Sequence, residues 1–467
     1  MSEAPEEVAL SHKSNGHELI PSAKRLMKSL RDLGYDFSAA IADIVDNSIE
    51  AGATLIAIDV EFDGDDSWVR ITDNGKGMEP SELREAMRYG AEREYDDEDL
   101  GKFGLGLKTA SLSQCQRLSV ACRTNPDRAN ITAYCWDMAH IEKTNRWEIL
   151  PLERTGLGPA IHNPLKESTG TVVLWQKLDR ILGFKHPYGE FARKKLLSMC
   201  RDAEEHLAMV FHRFLTGEVP RRKLKILLNG NEIKPWDPYS RDEPKIKVLT
   251  PVVLKLEHEG ISGSIKIEPF VLPNQKNYTS PEAFKKASGP GKWNRQQGFY
   301  IYRAGRMIQS GGWCRLRTSD EHTKLARVAL SFLPTLDDAF KINVAKMQVQ
   351  LPSNIRDEIE KAIDPVIRIA RKTYDKEAPA PPPVTTPVTS SASPLVTSPK
   401  ASNTKQPIVS SPPASYRSAQ EQAADDRWTI DEVCSRIEEV AKPDERPVIA
   451  RVLKRLKNSI NGKGGRS

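Results

Sequence analysis

This sequence predicts an α/β fold built from two successive folded segments, with a linker and a short helical tail behind them. Helical and strand-like apolar patterns alternate densely from Pro21 to about Lys185, and a second patterned stretch runs from about Phe191 to Tyr374. Residues 376–424 are then rich in Pro, Ser, Thr and Ala and poor in large apolar side chains, so they bury too little surface to offset their chain entropy. The division that follows is a disordered arm over 1–20, a first domain over 21–190, a second over 191–375, a linker over 376–425 and a basic helical segment over 426–467.

The length of 467 residues allows two or three domains. A hydrophobic content of 39% and a charged content of 28% are ordinary for a globular protein, and a formal charge of +6 permits nucleic-acid contact without arguing for it. No apolar run approaches the roughly 18 residues of a membrane span, and the polar, acidic N-terminus is unlike a secretory signal. Six scattered cysteines without a C-x-x-C pair, and nine histidines without a cluster, argue against disulfides and zinc. Cytoplasmic residence and no membrane contact are the expectations.

The first chemical motif is a helix, FSAAIADIVDNSIEAGA. Phe37, Ile41, Ile44, Val45 and Ile49 recur at helical spacing and belong to the core. Asp43, Asp46, Asn47 and Glu50 fall on a second stripe at i, i+3, i+4 and i+7, which is ordinarily just a solvated face. A chemical reading exists beside the bland one. One amide oxygen from Asn47 suffices for Mg²⁺, which keeps several waters and phosphate oxygens, and a carboxylate one turn earlier could polarise a water.

Next, Leu55–Phe62 alternates as a strand, and a second strand from Trp68 runs into Asp73-Asn74-Gly75-Lys76-Gly77-Met78. A D-x-G-x-G at a strand end is often a plain turn; alternatively Asp73 accepts a hydrogen bond from an adenine amino group while Gly75 and Gly77 let backbone approach the base. Beyond a polar run, EREYDDED, comes Gly101-Lys102-Phe103-Gly104-Leu105-Gly106-Leu107-Lys108-Thr109, which leads into a helix. Glycines before a helix start present backbone N–H groups to phosphate. Leu107 separates the last glycine from Lys108, so this is no Walker A loop, and the glycine spacing is the reverse of the dinucleotide fingerprint. A later strand starts Gly170-Thr171-Val172-Val173.

Each motif alone is weak, but their order and spacing resemble the N, G1 and G2 boxes of the GHKL superfamily of ATPases, and DNSIEAGAT is especially similar to MutL and microrchidia (MORC) sequences. The resemblance implies a GHKL (Bergerat) α/β sandwich with a mixed sheet, followed by a transducer-type α/β domain. It implies ATP and Mg²⁺ as cofactors, with Asn47 as metal ligand. Nucleotide contacts would come from Asp73, Gly75, Gly77, Met78, Gly101, Lys102, Phe103, Gly104, Leu105, Gly106, Lys108 and Thr171. In the second segment, GFYIYRAGR at 298–306 resembles a transducer strand-turn, and INVAKMQV at 342–349 resembles the loop whose lysine, here Lys346, reaches the γ-phosphate. Asp43 and Lys346 are the implied catalytic residues.

The pattern departs from the family at one place. These relatives carry Glu four residues before the Asn, whereas here the residue is Asp43, with its carboxylate set back by about 1.5 Å. Slow ATP hydrolysis that orders a lid, closes the two domains and drives homodimerisation is the leading expectation, with DNA or a protein as client. A weakly hydrolysing or non-hydrolysing ATP-dependent clamp or scaffold is the alternative. A sensor kinase would need a phosphorylated His in an upstream hairpin, and only His12 and His17 precede the fold.

Overall fold

A computed structural model describes residues 19–32, 34–90, 106–125, 130–153, 157–342 and 349–376. The arm before residue 19, the linker, the helical tail, the glycine segment Gly101–Leu105 and Lys346 lie outside the described residues.

The architecture is α/β with two mixed sheets. Helix α1 (Ala23–Arg31) is capped by Ser22, and helix α2 (Phe37–Glu50) by Asp36, whose carboxylate accepts the Ala39 N–H at 2.7 Å. Strands β1 (Leu55–Glu61) and β2 (Trp68–Asp73) form an antiparallel pair, and helix α3 (Pro80–Met87) starts with Pro in its first turn. Helix α4 (Gly106–Leu112) follows, then β3 (Arg117–Arg123), β4 (Thr132–Asp137), β5 (Leu150–Pro151) and β6 (Gly170–Gln176). Strands β7 (Lys225–Leu228) and β8 (Asn231–Glu232) complete an eight-stranded sheet in the order β5-β4-β3-β6-β2-β1-β7-β8. Within this sheet, among the described residues, only β1 and β7 pair in parallel. The sheet thus takes two strands from beyond the long helix Glu190–Val210.

β6 sits inside the sheet and is buried on both faces, as its near-continuous apolar run GTVVLWQ requires. Val173 and Trp175 face the core shared with α2, while Val172 and Leu174 face a smaller cluster closed by the helix Pro159–Leu165. Trp175 is fully buried, edge-on to Phe37 at 6.3 Å between ring centroids.

The second sheet comprises β9 (Lys247–Val248), β10 (Val252–His258), β11 (Ile261–Val271), β12 (Gly298–Arg303), β13 (Arg306–Ser310) and β14 (Ala326–Phe332). Its order is β10-β11-β14-β12-β13, with β9 also on β11. Along β12 the residues alternate between two cores: Phe299 and Ile301 pack with the helix Arg356–Asp375, and Tyr300 and Tyr302 pack toward the first sheet. Among the described residues, no helix is long and apolar enough to cross a membrane.

Candidate active site

α2 is buried nearly all round: Asp43 is 3% exposed and Asp46 is fully buried, whereas Asn47 and Glu50 are half-buried. The stripe of polar residues on this helix is therefore not a solvated face, and buried carboxylates need partners. The Tyr35 hydroxyl donates to Asp43 Oδ2 at 2.8 Å. Arg306, from β13, donates through Nε to Asp46 Oδ1 at 2.8 Å, and its Nη2 lies 3.9 Å from Asp43 Oδ1. Burial and the neighbouring Asp43 charge push the Tyr35 hydroxyl well above the usual phenol range, so it stays a donor.

Asp73 ends β2 in the middle of the sheet, between β1 and β6. Its Oδ1 accepts the N–H groups of Gly75 (2.9 Å) and Thr171 (3.2 Å), and its Oδ2 accepts the Ser48 hydroxyl at 3.1 Å. Burial raises its pKa, while those three donors oppose the rise. Ser48 directly follows Asn47, so one residue of α2 ties the helix to the strand end.

Close backbone contacts set the floor of the site. At Gly77, where φ is +68°, a Cβ would meet the Arg123 carbonyl oxygen at 2.5 Å. At Gly170, where φ is +136°, a Cβ would sit 1.9 Å from the Asp73 carbonyl oxygen. Glycine is required at both. Met78 is half-buried against the same core.

Gly106, first residue of α4, lies next to Asp43: a Cβ there would come within 3.3 Å of Asp43 Oδ2. Lys108 is buried and donates Nζ to the Ala86 carbonyl at the end of α3, at 3.0 Å. Burial pulls its pKa down to about 8. For Thr171 the backbone N–H, rather than the hydroxyl, meets Asp73; the hydroxyl accepts from the Cys122 thiol at 3.6 Å.

The structure thus brings Asp43, Asn47, Asp73, Gly75, Gly77, Gly106 and Thr171 along the second half of α2 and the strand end beside it. Tyr35, Ser48 and Arg306 belong to the same constellation and escaped the sequence reading. Tyr35 precedes the helix cap, Ser48 looks like any small helix residue, and Arg306 is 260 positions from Asp46. A donor set of one half-buried amide oxygen beside a buried carboxylate suits a hard cation that keeps waters and phosphate oxygens, so Asn47 fits Mg²⁺. Two concavities, of about 420 and 600 Å³, are lined in part by Arg213–Arg222 and Lys194–Glu204, and include none of these residues.

Residues 35–171 match the family described as histidine kinase-, DNA gyrase B-, and HSP90-like ATPase. The chain is similar to DNA mismatch repair protein MutL of Haemophilus influenzae, 27% identical over 218 residues that are 45% of this chain and 30% of the relative. It is likewise similar to MutL of Shewanella amazonensis, 35% identical over 102 residues (21% of this chain, 16% of the relative). With MutL of Sinorhizobium fredii it shares 33% identity over 90 residues, covering 19% of this chain and 15% of the relative. The chain spans under a third of the length of these relatives.

Proposed function

Residues 35–171 are a GHKL-superfamily domain close to MutL, and on that premise we propose that this chain binds ATP with Mg²⁺ and hydrolyses it slowly. The observation that carries the reading is Asp73: a carboxylate buried at a strand end, held by Ser48, Gly75 and Thr171. Such a fixed acceptor suits the adenine amino group and repels the carbonyl of guanine, which makes the site selective for ATP. Gly77 and Gly170 bring backbone close beneath the base, and Met78 lines it.

Phosphoryl transfer to water needs positioning and charge neutralisation more than covalent help. Asn47 would hold Mg²⁺, which would neutralise charge on the phosphates. The amides of the Gly101–Gly106 segment receive phosphate oxygens at the start of α4. Asp43 orients the attacking water, and Lys346 opposes the γ-phosphate, with Lys108 turned toward α3. ATP binding closes the two domains over the nucleotide and promotes pairing of two copies; loss of the γ-phosphate releases them.

Isothermal calorimetry tests the reading. Wild type is expected to give heat with ATP and Mg²⁺ that Asp73→Asn abolishes; silence from wild type sinks it.

A second reading, an ATP-dependent clamp that scarcely turns over, is favoured by the state of Asp43. That carboxylate is a methylene shorter than its counterpart in relatives, and Tyr35 and Arg306 already engage it. Phosphate release decides between the two: turnover in wild type that Asn47→Ala abolishes supports the hydrolase, while turnover seen only in Asp43→Glu supports the clamp. The MutL relatives are named as DNA mismatch repair proteins, and with Arg221-Arg222-Lys223 this supports DNA as the client. Binding to duplex DNA that weakens steeply across a salt series is the expected result.

A further inference from the structure

A four-residue turn of the second sheet reaches the carboxylates of α2. Arg303 closes β12 and Arg306 opens β13, with Ala304 (φ +47°) and Gly305 (φ +85°) between them. The arginines point to opposite partners. Arg306 reaches Asp46 at 2.8 Å and lies 3.9 Å from Asp43, on the helix that carries Asn47. Arg303 forms a two-pronged pair with Asp337, Nε to Oδ1 and Nη2 to Oδ2, both at 2.8 Å, with the side chains 2% and 3% exposed.

Asp337 in turn is the root of the segment that leads to 343–348. Its carbonyl accepts the Ile342 N–H at 3.1 Å, and the Phe340 carbonyl accepts the Gln350 N–H at 2.9 Å on the returning side. Phe340 stacks flat on Phe332 of β14, with centroids 3.9 Å apart. Gly305 sits against Val219, whose Cγ2 a Cβ at that position would meet at 2.6 Å.

We propose that the Arg303–Arg306 turn is a two-armed brace that carries the state of the nucleotide site into the second sheet. Arg306 is a positioning residue for the α2 carboxylates, and Arg303 fixes the root of the 342–350 segment. The proposal rests on the nucleotide reading above. Its physical basis is that a buried, directional ion pair cannot stretch gradually, so a shift of α2 on binding moves the guanidinium, the turn and the second guanidinium together. Coupling of this kind is reciprocal, and it adds no chemistry of its own.

Hydrogen exchange on the full chain, with and without a non-hydrolysable ATP analogue and Mg²⁺, tests it. In wild type the analogue is expected to slow exchange both on α2 and over 334–342. In Asp46→Asn/Arg306→Met, which removes both charges and leaves no lone buried carboxylate at 46, a saturating concentration of analogue is expected still to protect α2. The added protection over 334–342, however, drops at least tenfold, an effect that loss of packing alone would not confine to that segment. Should the double variant not fold, Arg306→Lys carries the comparison. A lysine lacks the rigid planar fork that reaches from Asp46 toward Asp43, so at least a threefold drop is expected. Undiminished protection of 334–342 in a folded variant overturns the brace, as does its absence in wild type. A wild-type chain that takes up no analogue overturns the nucleotide reading itself.

Discussion

The Ser48 hydroxyl donates to Asp73 Oδ2 across 3.1 Å, binding the helix of Asn47 to the strand end that would read the base. Burial raises the Asp73 pKa, and its ionised form is supported by the Gly75 N–H, then the Ser48 hydroxyl and the Thr171 N–H. ATP affinity is therefore expected to fall as pH drops through the raised value. Ser48→Ala removes a hydrogen bond from the charged form, which pushes the pKa higher and moves the fall in affinity to higher pH. Calorimetric titrations across a pH series measure the midpoint, and an unmoved midpoint in Ser48→Ala would refute the assignment.

Asp73→Asn keeps an oxygen for the Gly75 and Thr171 amides, so the fold should survive. With the carboxylate gone, ATP affinity is expected to drop at least about a hundredfold, near 3 kcal/mol. Circular dichroism would check the fold and calorimetry the affinity.

Gly170→Ala places a methyl group 1.9 Å from the Asp73 carbonyl oxygen at a φ of +136°. The strand start must move, and a loss of about 3 kcal/mol or more is expected in urea unfolding.

Arg303→Met strands the Asp337 carboxylate, 2% exposed as a residue, without its guanidinium. A loss of about 3–5 kcal/mol is expected, most of it regained in Arg303→Met/Asp337→Leu, where no lone charge remains. Chemical denaturation of the pair of variants measures both.

Lys108 titrates near pH 8 in the folded chain, against 10.5 when unfolded. Between those values the unfolded state binds more protons, so this group makes stability rise with pH. Wild type should therefore gain on Lys108→Met, by on the order of 3 kcal/mol, as pH climbs from about 8 to 10.5. A pH-independent difference between the two would contradict the burial of the ammonium.

Local pattern made much of the fold legible. The spacing of Phe37, Ile41, Ile44, Val45 and Ile49 marks α2, alternation marks β1, and the strands at Trp68, Gly170 and Gly298 begin where they read. Within the site, Asp73 at a strand end and the bend at Gly77 followed from residue type. The environment of the α2 stripe did not, because whether Asp43 and Asp46 face water depends on Arg306 arriving from a hairpin 260 residues away. Nor does the sequence show the burial of Lys108, whose Nζ donates to the Ala86 carbonyl. Tyr35 has no periodic signature at all.

β1 lies between β2 and β7, and its parallel partner is made only after the Glu190–Val210 helix. A ribosome must therefore pass residue 228 before that strand gains its second neighbour. A fragment ending near 190 would leave Leu55–Ile58 with a bare ladder of amides and carbonyls. Such an edge recruits other chains, so a shortened product should precipitate where the longer one stays in solution.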